Sequence, residues 1–156
     1  MALSKDDLAV GLKVLTTVTT GCYTGGAWFL LFGAVPTARS LKPSCCLKVT
    51  KSVFERCAPM AVLSLGPMLG GAGVYLLSRG GNQEDNCGWI LTACVFGAMH
   101  PYTLKFLMPI NNRVLNKELP EDEAHSTMDR WWNFHLWRTI AASGCFVCLS
   151  YLIAKQ

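Results

Sequence analysis

The chain has 156 residues, of which 51% are hydrophobic and only 15% charged, with a formal net charge of +4. So little charge in one domain's length of chain argues against a water-soluble domain, where about 25% of residues are charged. The positive balance does not mark a nucleic-acid binder either, because the basic residues gather in one short stretch and not in a stripe with interleaved aromatics.

Four stretches, near 14–35, 57–78, 88–110 and 136–154, are almost free of Asp and Glu. Each approaches the ~20 residues that cross ~30 Å of hydrocarbon, and none shows the recurring charged stripe of a soluble bundle helix. The sequence therefore predicts an all-α, integral membrane four-helix bundle in a lipid bilayer. It forms a single domain over 1–156, with spans at about 8–35, 57–78, 88–110 and 131–153.

Ser4 followed by Asp7 has the pattern of a capping box, so the first helix begins there and runs through a Thr-rich tract. Asp6 and Asp7 ahead of that long apolar tract argue against a cleavable signal peptide, and Pro36 marks the expected end of the span. Loop one, about 37–55, contains Pro43 and leads to a second span that Pro59 and Pro67 are expected to kink. Gly70-Gly71-Ala72-Gly73 lacks the Lys-Ser/Thr ending of a phosphate loop. It reads as helix packing, as do the pairs Gly21/Gly25, Gly66/Gly70 and Ala93/Gly97. Loop two is short, from Arg79 to Asn86.

Loops one and three hold eight basic residues, Arg39, Lys42, Lys48, Lys51, Arg56, Arg113, Lys117 and Arg130, against Lys5, Arg79 and Lys155 on the other side. That asymmetry predicts cytosolic loops one and three, with both termini lumenal or extracellular at an endomembrane or plasma membrane. The eight cysteines read mainly as small hydrophobes in apolar helix. Cys145 and Cys148 with Cys87 also fit a thiol redox protein, and adjacent Cys45 and Cys46 fit palmitoylation.

Polar side chains within spans are costly, which makes them site candidates. The group is His100, Lys105, Asn111 and Asn112 around the third span, and Trp131, Asn133, His135 and Arg138 opening the fourth. Trp131, His135 and Arg138 stand at i, i+4 and i+7, on one helix face that must look inward. An antiparallel hairpin then brings Asn111 near Trp131 and sets Lys105 at about the depth of Arg138. No carboxylate occupies any span, so the guanidinium lacks an anion, and that anion is a candidate ligand.

The run from Pro101 through Asn111 to Leu115, followed by Trp131-x3-His135-x2-Arg138-Thr, resembles the anthrone oxygenase-like family of four-helix membrane proteins. The resemblance implies oxidation of a small hydrophobic aromatic substrate, a polyketide anthrone or similar phenol, by dioxygen to a quinone, with no bound flavin or metal. It implies His135 as the base, Arg138 and Asn111 as partners of the oxyanion, and Trp131 in a slot for flat rings. Tyr102, His100 and Lys105 are carried along as further substrate contacts. A homo-oligomer stays open. Two other classes compete: a non-catalytic protein in which Arg138 holds a lipid phosphate, and a haem protein with His100 and His135 as axial ligands. The haem reading suffers from a depth difference of about eight residues, or ~12 Å at helical rise.

Overall fold

The computed structural model describes residues 4–78 and 83–155. Of the expected loop two, residues 79–82 lie outside the described residues, and 83–86 belong to the helix that opens the third tract. Four helical tracts are long and apolar enough to cross a membrane: Lys5–Arg39, Pro43–Leu77, Asn86–Leu115 and Glu121–Ala154. The protein is an all-α membrane bundle of four spans. Large apolar side chains such as Leu15, Phe32, Val62, Leu104 and Val147 stand on its outer surface in every tract, a covering suited to lipid and not to water.

The first helix, α1 (Lys5–Phe29), starts at the expected capping box. Ser4 Oγ accepts the Asp7 N–H at 3.1 Å, and the Asp7 carboxylate accepts the Ser4 N–H at 3.2 Å. Pro36 does not end the span. The chain passes through a π-helical turn, Leu30–Ala34, into α2 (Val35–Arg39). A wider turn accommodates a proline ring that collides with the carbonyl four residues back and has no N–H to donate. Val35 N–H accordingly reaches the Leu30 carbonyl, five residues back. In the same pattern Pro36 leaves the Leu31 carbonyl without a donor, and the indole Nε1 of Trp132 supplies one at 3.2 Å. Trp132→Phe keeps the ring and removes that donor. We expect it to cost roughly 1–3 kcal/mol of stability, read as a lower unfolding midpoint in detergent.

The expected loop one is largely helix: α3 (Pro43–Cys57) is followed by α4 (Pro59–Leu63) and α5 (Leu65–Leu77). Pro43 stands in the first turn of α3, where its missing N–H costs nothing. Cys46, Thr50 and Phe54 recur every four residues on the buried face, so the charges taken for a loop belong to the other face of an amphipathic helix. Cys46 is fully buried and only Cys45 is exposed, which removes one of the paired acylation positions. The second span breaks at Ala58 and Ser64, beside its two prolines. α5 lies close against α1, where Gly66 and Gly70 face Thr19 and Thr16.

The third tract repeats the device of the first. α6 (Gln83–Tyr102) passes through a π-helical turn, Thr103–Leu107, into α7 (Met108–Leu115), with Pro109 just beyond the turn and Met108 N–H bonded to the Thr103 carbonyl. α7 ends five residues past the expected 110, closed by Lys117 in the left-handed region (φ 59°) and by the Glu118 N–H on the Arg113 carbonyl at 2.9 Å. A short 3-10 turn, Glu121–Glu123, leads into α8 (Ala124–Ala154), which starts well before the expected 131. The basic end of the bundle is tied by ion pairs Arg113–Glu123 and Arg39–Asp129, and by Lys51 Nζ donating to the Leu115 carbonyl.

A polar-tipped aromatic cavity between the spans

The proline-linked irregularities open space inside the bundle. Where α4 is set off from its neighbours and the third tract widens at 103–107, a cavity of about 450 Å³ forms. Its walls come from all four tracts: Tyr23 and Leu30; Phe54, Met60 and Ser64; Met99, His100, Thr103 and Asn111; Trp131 and Arg138. A volume of this size holds a small organic molecule. Ala58, Ala61 and Leu104 both line the cavity and are exposed. Its mouth therefore lies on the flank of the bundle, between the second and third spans.

The fourth span presents the expected inward face. Trp131 Nε1 donates to Asn111 Oδ1 at 2.9 Å, and Phe54 packs on the indole with ring centroids 5.2 Å apart. His135 stacks beneath Trp131, 4.5 Å between centroids and 15° between planes. Arg138 donates from Nη2 to His135 Nδ1 at 2.9 Å and from Nη1 to Thr103 Oγ1 at 3.0 Å. Its guanidinium lies 5.8 Å from the Tyr23 ring centroid, and its buried Nε has no hydrogen-bond partner. The described residues of the spans bring no carboxylate to it.

The geometry changes the role of His135. A guanidinium only donates, so Nδ1 is the accepting nitrogen and Nε2 carries the ring proton, buried without a hydrogen-bond partner. The ring is fully buried and does not line the cavity. His135 therefore has no free lone pair with which to act as the expected base; it orients Arg138. The same placement removes it as an axial metal ligand opposite His100.

Asn111 and Trp131 meet as expected, and His100, Asn111, Trp131 and Arg138 share the cavity. Tyr102 and Lys105 do not reach it. The Tyr102 hydroxyl donates to the Phe134 carbonyl at 3.2 Å, its ring resting on Phe106, while Lys105 is exposed with its ammonium 5.4 Å from the Phe106 ring centroid. The π-turn explains the misplacement of Lys105. Between the Thr103–Arg138 and Asn111–Trp131 contacts the third tract advances from 103 to 111 and the fourth only from 131 to 138. The additional residue turns Lys105 to the outside and puts Thr103 opposite Arg138. Tyr23, Phe54, Ser64 and Thr103 are the site residues that sequence reasoning missed. For Thr103 a signal existed, since it stands three positions after His100.

Four apolar helices closed around an aromatic-walled cavity, with a buried guanidinium at its edge, define a membrane protein with an internal site of small-molecule size. The anthrone oxygenase family model matches residues 52–148, more than half of the chain, and the protein belongs to that family. No curated protein and no solved structure matches the chain.

Proposed function

We propose that the protein oxidises a flat phenolic or anthrone-type substrate with dioxygen inside this cavity. The observation that carries the reading is the buried Arg138, held by neutral partners and with its Nε unsatisfied, at the edge of an aromatic-walled cavity in a chain of the anthrone oxygenase family. An anthrone has an acidic methylene, and loss of one proton gives an electron-rich anthrolate that passes an electron to dioxygen directly. The overall change is anthrone plus dioxygen to anthraquinone plus water. Such chemistry asks for a cation beside the developing oxyanion and an apolar slot for the rings, and fixed donors in a water-poor site are worth more there than in water. Arg138 serves as the cation, and Trp131, Phe54 and Tyr23 form the slot. Asn111 keeps Trp131 in place through its amide oxygen. The flank mouth lets an apolar substrate enter from the bilayer, and the positive-inside asymmetry supports a cytosolic basic end with both termini on the far side.

The test is oxygen consumption by the purified protein with a panel of anthrones, hydroquinones and simple phenols. At least one class is expected to drive uptake above the autoxidation rate in buffer. Uptake at the buffer rate with every compound overturns the oxidase reading in favour of a binding protein.

A further inference from the structure

We infer that His100 is the proton acceptor of this oxidation, a proposal that rests on the oxidase reading above. His100 Nδ1 lies 2.9 Å from the Phe96 carbonyl, an acceptor only, so that nitrogen must carry the ring proton. Nε2 is left as the basic nitrogen. Its polar neighbour is Ser64 Oγ at 3.3 Å, a hydroxyl whose shorter contact is the one to the Ala61 carbonyl at 2.6 Å. The lone pair of Nε2 therefore meets no committed donor, and the ring lines the cavity. This is the reverse of His135, whose accepting nitrogen is occupied by Arg138 and whose ring is shut away from the cavity. His100 also stands one helical turn before Thr103, the residue that holds Arg138 Nη1, so base and cation approach one ligand from neighbouring positions.

With an anthrone in the slot, Nε2 takes a proton from the ring methylene, and the electron pair of that C–H bond moves into the carbonyl, leaving an oxyanion beside Arg138. The anthrolate gives one electron to dioxygen. The resulting radical and superoxide join at the former methylene carbon as a peroxide, which takes up the proton held by His100. The second C–H proton then leaves that carbon to the departing hydroxide as the O–O bond breaks. The departing hydroxide leaves as water with that proton, and the quinone carbonyl remains. One substrate and one dioxygen give one quinone and one water, with His100 returned to its starting state.

The experiment compares wild type with His100→Gln, which keeps an amide near Ser64 but has no basic nitrogen. Two substrates are used: a neutral anthrone, and an anthrone with electron-withdrawing ring substituents that is already ionised at the assay pH. His100→Gln is expected to lower turnover of the neutral substrate about 10²- to 10⁴-fold. Turnover of the pre-ionised one should stay within a few-fold of wild type, and quenching of tryptophan fluorescence by anthraquinone should keep its midpoint. Exogenous imidazole should restore part of the neutral-substrate rate to His100→Ala. Wild-type rates in His100→Gln with both substrates would overturn the assignment, as would equal losses with both. A wild-type protein that consumes no oxygen with either substrate overturns instead the oxidase reading on which the assignment stands.

Discussion

Arg138→Leu is expected to lower substrate-dependent oxygen uptake about 10²- to 10³-fold, the usual cost of removing a preorganised oxyanion partner. The same change should leave the fold as stable as wild type or more stable. Its partners in the bundle are neutral, a threonine hydroxyl and an imidazole nitrogen, and Nε has none. A buried charge without an opposite charge is a burden on folding, and an apolar side chain of similar reach removes it. Opposite movement of activity and stability is the mark of a residue kept for a ligand. Arg138→Lys should not rescue the activity, because a single ammonium cannot hold Thr103 and His135 together and still face the cavity. The check pairs kcat/KM for oxygen uptake with the thermal midpoint in detergent. Equal losses in both would make Arg138 a structural residue.

Gly71→Val is expected to have the largest effect on folding. A Cβ at Gly71 would stand 2.6 Å from the Trp89 carbonyl oxygen and 3.2 Å from the Ala93 backbone nitrogen. Both are main-chain atoms of α6, so the whole helix must withdraw from α5. Overpacking of this kind costs about 1–3 kcal/mol where side chains can yield, and here only backbone can move. We expect a clearly lower thermal midpoint in detergent and a tendency to aggregate. Gly25→Ala is the matched control, since nothing lies within 4 Å of its added Cβ and the helix gains from losing a glycine. Equal midpoints for the two variants would mean that α5 and α6 are not held this closely.

The span count and the pairing of Asn111 with Trp131 were legible in the sequence because both follow from regular periodicity. An apolar tract of about 20 residues announces itself, and Trp131, His135 and Arg138 fall on one face of an uninterrupted helix. Legibility failed where a proline changed the helix pitch. Pro36 and Pro109 were readable as disturbances, but not as π-turns that carry the span onward, and the residue inserted at 103–107 rotated Lys105 out and Thr103 in. α3 was missed because its charges, spaced for one face of an amphipathic helix, resemble those of a loop when read as composition. The roles of the two histidines were hidden for a different reason. Which nitrogen of each imidazole is left to accept is set by a single partner, the Phe96 carbonyl for His100 and Arg138 for His135, and no spacing rule records that. The first two tracts also reach the cavity, where Tyr23 and Phe54 supply two of the three rings of the proposed slot.

Reaction of dioxygen with a substrate held in the cavity is tested most directly by product analysis under isotopically labelled dioxygen. Purified protein, an anthrone and ¹⁸O₂ are expected to give quinone carrying one labelled oxygen at the former methylene carbon, at a rate that falls to the buffer level with Arg138→Leu. Quinone formed at the same rate with wild type, Arg138→Leu and buffer alone would contradict it.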